Sequence, residues 1–313
     1  MQIPFTGSCP RWPIPWADDG ELYAAYGDGW GFRNEVTKKL SLGFAKVTGS
    51  PPGIDGINIR SSSGEQIAGS GDAGRKGSGM LMVDGVLYMW VRNANLAGQQ
   101  CQLAWSTDHA VTWTWSAWRF EEFGYCTFLN FGRNYGGARD DFVYMYSPDS
   151  PSGTIETDRV VLTRVPRGQI LEESAYEFFA GLDAVGDPVW SPLIGDRSPV
   201  YEFPGGANRL DVVYNPGLGR YLMTMRARDW AVAGNPRHFS IYDAPEPWGP
   251  WTTIYFTDTF YGEPLPAGSI HHGGWDEAQR LPSKWIEAEG SVLQLLCSCS
   301  DTFSVVRVQL TSP

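Results

Sequence analysis

Trp12-Pro-Ile-Pro-Trp-Ala-Asp-Asp-Gly-Glu-Leu-Tyr-Ala-Ala-Tyr-Gly-Asp-Gly-Trp-Gly-Phe32 reads as a strand, a tight turn and a second strand. The strands are Trp12–Ala17 and Glu21–Tyr26, and Asp19-Gly20 turns the chain between them. Asp-Gly between apolar, aromatic-rich runs is a strong hairpin signal, because glycine accepts the positive φ that such turns need. The second strand stops at Gly27-Asp28-Gly29, which leaves one carboxylate at its end. Four further copies follow: Gly79–Val83 with Val86–Val91, Phe128–Phe131 with Phe142–Tyr146, Leu210–Tyr214 with Arg220–Met225, and Lys284–Ala288 with Ser291–Leu296.

A third apolar strand follows each copy, at Leu40–Val47, Gln102–Trp105, Val160–Val165, Phe239–Tyr242 and Phe303–Val308. Outer strands are expected at Ile57–Arg60 (a poor match), Thr112–Phe120, Tyr176–Phe179 and Trp251–Phe256. Antiparallel meanders of three to four strands predict an all-β chain, a five-bladed β-propeller forming one domain over residues 1–313. The last copy lacks an outer strand; Gln2–Phe5 would supply it, so that the N-terminal strand closes the last blade and removes a sheet edge. A two-sheet sandwich is the alternative, but sandwiches rarely repeat one strand–turn–strand unit five times.

The 14 Trp, 14 Tyr and 15 Phe suit flat blade faces and also sugar-ring platforms. A net charge of −11 argues against nucleic acid or an anionic membrane surface as partner. No apolar run reaches the roughly 18 residues a membrane span needs. Residues 1–20 lack a basic start and an apolar core, which fits a cytosolic protein or a secreted one whose leader is removed. Cys9, Cys101, Cys126, Cys297 and Cys299 form no metal-ligand spacing; they read as buried, reduced thiols. No metal or other cofactor is expected, and oligomeric state is open.

Gly49–Gly79 is a long Gly/Ser-rich crossing or a lid, and it ends in Arg75-Lys76. Ser106-Thr-Asp108-His-Ala-Val-Thr112-Trp113 matches the Asp-box, S-x-D-x-G-x-T-W, with Ala110 in the glycine place. Its Asp caps a hairpin and its Trp packs between blades, so Asp108 is given no chemistry. His109 is expected to face solvent from that turn. Asp18, Asp19, Asp84, Asp140 and Asp141 occupy first-to-second-strand turns and read as turn formers. The opposite face is the informative one. Starts of inner strands bring Arg11, Trp12, Lys76, Tyr125, Arg209 and Lys284 there. Ends of second strands bring Asp28, Trp30, Arg92, Asn93, Asp149, Arg226, Arg228 and Asp301. The long Asp258–Gln279 loop, carrying His271-His272, should hang over the same side.

Trp12-Pro13, Trp16-Ala-Asp-Asp and Tyr26-Gly-Asp-Gly-Trp-Gly-Phe32 resemble a group of five-bladed propeller proteins long known only as a domain of unknown function. Gly79–Tyr88, Phe128–Gly132 and Tyr242–Trp251 extend the likeness over almost the whole chain. The wider group includes bacterial endo-D-arabinanases, and the resemblance implies two first-blade aspartates. Asp28 matches one. The other should precede Trp12, where this chain has Ser8-Cys-Pro-Arg11 and no carboxylate.

The reading that follows is a glycoside hydrolase acting on a polysaccharide or oligosaccharide. Asp28 would be base or nucleophile, with Asp149 or Asp301 as the opposite acid. Trp12 and Trp30 would stack on sugars, while Lys76, Arg92 and Lys284 would fix hydroxyls or a uronate carboxylate. Arg11, Asn93, Tyr125, Arg226, His271 and His272 complete the substrate-binding rim. Two alternatives stand beside it: a lyase for uronic-acid glycans, with His271, His272 or Tyr125 as the base, and a non-catalytic lectin-like module.

Overall fold

Prolines shape the first sheet. Its core is β1 (Leu22–Tyr26), β2 (Gly43–Thr48) and β3 (Asp55–Ile59), antiparallel in that order. The Trp12–Trp16 segment lies along β1, held by Tyr23 N–H to Pro15 O and Ala25 N–H to Pro13 O, each at 3.3 Å. Pro13 and Pro15 have no N–H to return, so this ladder is one-sided and the expected full strand is reduced to a bridge between Trp16 and Leu22. The computed structural model describes residues 12–32, 36–67, 69, 71–227, 238–257, 279–298 and 303–311. Among them regular structure is β-strand, with a few single-turn 3-10 helices and no helix long and apolar enough to cross a membrane.

The second sheet is the four-stranded meander β4 (Lys76–Val83), β5 (Val86–Arg92), β6 (Cys101–Ser106) and β7 (Thr114–Phe120). Asp84 and Gly85, at φ 50° and 77°, make the positive-φ turn expected between β4 and β5. The next group comprises β8 (Thr127–Asn130), β9 (Phe142–Pro148), β10 (Thr157–Pro166), β11 (Glu177–Leu182), β12 (Pro188–Ser191) and β13 (Pro199–Ala207). It is followed by β14 (Arg209–Asn215), β15 (Arg220–Ala227), β16 (His238–Ala244) and β17 (Thr252–Thr257). These ten strands form one curled sheet because β8 and β14 pair in parallel, Leu129 with Val212 and Asn130 with Val213. In the last sheet β20 (Val292–Cys297) is central, flanked by β18 (Gln279–Arg280) and β19 (Ile286–Glu287) on one side and β21 (Ser304–Gln309) on the other.

Inner strands such as β1, β4 and β20 bury both faces, outer strands such as β17 stay exposed, and the buried clusters sit between successive sheets. Along β5, Leu87, Met89 and Val91 pack with Tyr23, Ala25 and Phe44 of the first sheet, whereas Trp90 packs with Phe128, Tyr144 and Tyr176 of the third group. A further cluster joins Val213, Leu222 and Ile241 to Leu293 and Leu295. Another unites the two ends of the described chain: Trp12, Tyr26 and Phe32 with Trp285, Leu296 and Phe303. The last sheet therefore packs on the first.

Close approach of inner strands depends on Gly79. A Cβ there would lie 2.5 Å from Thr127 Cα and 3.0 Å from Phe128 N, both backbone atoms of the neighbouring strand. Gly79→Ala is expected to destabilise the protein by about 1–3 kcal/mol through overpacking. Gly168→Ala, where nothing lies within 4 Å, should stay within about 1 kcal/mol of the parent. Urea unfolding of the two variants checks the contrast.

Several expectations need adjustment. Lys284–Ala288 is not a continuous strand: Ser283–Trp285 form a 3-10 turn and the inner edge begins earlier, at Gln279. Strands β12 and β13 were not expected. Gly49–Gly79 is no open loop, since it contains β3 and the start of β4. Cys101, Cys126 and Cys297 are buried free thiols, and burial pushes the Cys126 thiol well up. Gln2–Phe5, Cys9 and Cys299 lie outside the described residues.

Candidate active site

Asp28 stands where β1 ends, between two glycines, with a left-handed φ of 53°. Gly29 is bonded both ways to Leu40, at 3.0 and 2.9 Å, which fixes the chain just beyond the carboxylate. Lys76, at the start of β4, places Nζ 2.7 Å from Asp28 Oδ1. Its side chain is 1% exposed and that of Asp28 16%, so the cation lies behind the carboxylate. The other oxygen, Oδ2, accepts the Gly71 N–H at 3.3 Å.

A short relay holds that amide in place. Asn93, at the end of β5, donates from Nδ2 to the carbonyls of Gly71 and Gly74, at 3.1 and 2.9 Å. Arg92 in turn donates from Nη1 to Asn93 Oδ1 at 3.1 Å. The loop's next residue, Asp72, is exposed, and its carbonyl accepts the Gly98 N–H at 3.1 Å. Asp28 is thus positioned by two neighbouring strand ends and one pinned loop.

Deeper in, one guanidinium ties several inner strands together. Arg280 of β18 donates from Nη2 to Ser78 O and Tyr125 Oη, at 2.8 and 3.0 Å. Its Nη1 donates to Leu210 O and Asp211 Oδ1, at 3.3 and 3.1 Å. The second Asp211 oxygen accepts the Leu281 N–H at 2.9 Å. Ser78 and Asp211 are each two residues in from the strand ends at Lys76 and Arg209, so this clasp forms a floor beneath the rim. Burial pushes the Asp211 carboxyl up, and this outweighs the downward pull of Arg280 and the Leu281 amide. Sequence reading missed both residues. The signal was a polar pair, Gln279-Arg280, just before an apolar residue, whereas the sequence reading starts the inner strand at Lys284.

The structure redistributes the other expected rim residues. Trp12 is fully buried, packed at 5.0 Å against Phe32 and Phe303, and cannot stack on a sugar. Trp30 is only partly buried, two residues from Asp28, and its carbonyl accepts Asn58 Nδ2. Lys284 is bonded to Glu21 at 2.8 Å, beside the Asp19-Gly20 turn, and so belongs to the opposite face. Asp149 is bound at one oxygen by Arg197 Nε and Nη2, both at 2.8 Å, which turns it toward the outer strands of its own sheet. Lys76 serves Asp28, and Tyr125 serves the clasp. Arg226 is buried opposite Arg209. Arg11, Arg228, His271, His272 and Asp301 lie outside the described residues.

The turn aspartates behave as expected. Asp140 accepts Phe142 N–H and Tyr144 Oη; Asp84 takes both arms of Arg167. Burial raises the Asp19 carboxyl, but Lys46, the Glu21 N–H and Tyr23 together hold it at about 2. Asp108 accepts the Thr112 N–H and Oγ1, and Trp113 stacks on Phe44 at 4.8 Å. His109 is a correction: it meets Asp18 at 2.7 Å rather than facing open solvent.

His238, at the start of β16, is buried between the rings of Phe203 and Phe256. Burial lowers its pKa from 6.5 to about 4; a bond to the Gly206 carbonyl opposes this and the nearby Arg226 charge reinforces it. Between pH 6.5 and 4 the unfolded chain binds a proton there that the folded chain does not, so stability falls as pH drops through that window. His238→Gln should flatten the fall. Urea midpoints at pH 7, 5.5 and 4.5 measure the slope; an unchanged slope would contradict the assignment.

A separate cavity of about 700 Å³ opens between β17 and β21, lined by Phe239, Ile241, Ile254, Leu295, Val306 and Val308 among others. Among the described residues its one carboxylate, Asp243, is bonded to Arg220 at 2.8 Å. Among the described residues it offers apolar surface without an acid–base pair.

No family model matches the chain, and no curated protein does. Solved structures do. A glycosyl hydrolase from Bacteroides ovatus aligns over 98% of this chain and 86% of its own, with a TM-score of 0.52 and 13% identity. The GH43_1 enzyme from Xanthomonas citri aligns over 100% and 90%, with a TM-score of 0.53 and 11% identity in its xylose complex, and 0.52 and 13% in its xylotriose complex. At these identities the likeness is one of fold: the chain shares the all-β, propeller-type architecture of these hydrolase structures.

Proposed function

We propose that this chain is a glycoside hydrolase whose working carboxylate is Asp28, at one end of the channel of a single five-bladed ring over residues 1–313. The strand groups support the ring. Dividing the ten-stranded sheet at the parallel β8–β14 seam gives five meanders, and the cluster around Trp12 and Phe303 packs the last on the first. Strand β21 pairs only with β20 among the described residues, which leaves its outer edge for Gln2–Phe5.

One observation carries the function: a partly exposed carboxylate at a strand end, held by a buried lysine and a loop amide. Hydrolysis also needs a protonated carboxyl roughly 5–9 Å away. With Asp149 engaged by Arg197, we assign that role to Asp72, exposed in the loop whose Gly71 amide binds Asp28. A residue that protonates the leaving group matters most when the leaving group is poor. Asp72→Asn should therefore lose most turnover on oligosaccharides and retain far more on aryl glycosides. New reducing ends from a panel of neutral and acidic glycans test the reading. Binding without any reducing-end release would point to a lectin and refute it.

A further inference from the structure

Like charges face each other across the strands at this end of the channel. Lys76 of β4 is the cross-strand partner of Arg92 in β5, and Arg209 of β14 is that of Arg226 in β15. None of the four is more than 4% exposed. Directly opposed like charges weaken a sheet, and a buried cation carries a desolvation penalty of several kcal/mol that must be offset. Since the chain as a whole has a net charge of −11, this concentration of cations is a property of the site and not of composition.

Arg92 defines the chemistry best. Its Nη1 is bonded to Asn93, whereas its Nε and Nη2 have no hydrogen-bond partner although the side chain is fully buried. Those two nitrogens form one edge of the guanidinium, the fork that takes both oxygens of a carboxylate side-on. Three described carboxylates at or beneath this end are engaged with other cations: Asp28 with Lys76, Asp149 with Arg197, Asp211 with Arg280. The covering loop passes as Gly153, where a Cβ would lie 3.3 Å from Arg92 Nη1 and 3.2 Å from Asn93 Oδ1.

We propose that the substrate is an acidic glycan, and that the carboxylate of a uronic-acid residue docks side-on against Arg92. This rests on the hydrolase reading above and adds its substrate class. Docking also reaches the catalytic carboxylate. A uronate on the fork fixes Arg92, Arg92 holds Asn93, and Asn93 holds the Gly71–Gly74 turn whose amide binds Asp28. A sulfate ester brings charge to the same place, but its oxygens are tetrahedral and do not match the planar fork as a carboxylate does.

The test uses the full chain with oligomers of galacturonate, mannuronate and glucuronate, their neutral counterparts and a sulfated galactan. Binding is read by calorimetry, cleavage by new reducing ends, and elimination by absorbance near 235 nm. The expected result is binding and cleavage of a uronate oligomer at least about tenfold better than its neutral counterpart. In Arg92→Lys, which keeps the charge and loses both the fork and the Asn93 bond, kcat/KM for that oligomer should fall tenfold or more, and by clearly more than for its neutral counterpart. Circular dichroism checks that this variant is folded. If it is not, the wild-type preference for uronate over neutral and sulfated oligomers decides alone. Equal or better cleavage of neutral glycans overturns the acidic substrate and leaves hydrolysis standing. Preference for the sulfated galactan overturns the carboxylate fork. Absorbance at 235 nm on a uronate oligomer overturns hydrolysis and leaves the acidic substrate standing. Failure to bind any glycan overturns both.

Discussion

Asp28→Asn is expected to lower glycan hydrolysis by about 10²–10⁴-fold, the range over which a positioned acid–base group contributes. The substitution is informative because so much of the local structure should survive it. Asparagine tolerates the left-handed φ of 53°. Its amide oxygen can still accept from Lys76 and its shape is unchanged. What it cannot do is accept a proton or attack an anomeric carbon. Circular dichroism and the urea midpoint should stay close to the parent while kcat collapses. Turnover within tenfold of the parent would remove Asp28 from the chemistry.

The second large effect concerns stability. Arg280→Met is expected to destabilise the fold by about 3–5 kcal/mol, the cost of breaking a buried pair and leaving one charge behind. Arg280 is 1% exposed and bonds groups contributed by β4, β14 and the approach to β8. Its loss strands Asp211 together with two carbonyls and the Tyr125 hydroxyl. The double variant Arg280→Met, Asp211→Leu should recover part of the loss, because an apolar pair of similar size replaces an ion pair at little net cost. Denaturant unfolding gives both numbers. A loss under about 1 kcal/mol for the single variant would show that the clasp does not hold these sheets together.

Much of the fold could be read from the chain because its signals are local. Asp84-Gly85 and the alternation around Leu87, Met89 and Val91 announce a hairpin without any knowledge of its neighbours, and the Asp-box turn at Asp108 follows its motif. The candidate site was legible where it coincided with such a signal, as at the strand end Gly27-Asp28-Gly29. It was lost where partners come from far away in sequence. Nothing around residue 280 announces that its side chain crosses to Ser78 and Tyr125. Nothing near Trp12 says that Phe303 will cover it. Lys284 went astray for a different reason: a 3-10 turn interrupts the inner strand, and an unbroken apolar pattern was read through it. Lys76 and Arg92, both expected at the rim, divide in role. Lys76 holds Asp28, while Arg92 keeps a free edge.

A crystal structure with a bound oligosaccharide tests the central claim most directly, because two regions of the molecule could receive one. The account predicts a sugar ring in the channel mouth, with a carboxylate oxygen of Asp28 within hydrogen-bonding or in-line reach, about 3–3.5 Å, of the anomeric carbon or its attacking water. A glycan lodged instead in the apolar cavity between β17 and β21, with the mouth at Asp28 and Lys76 unoccupied at saturating ligand, would contradict it.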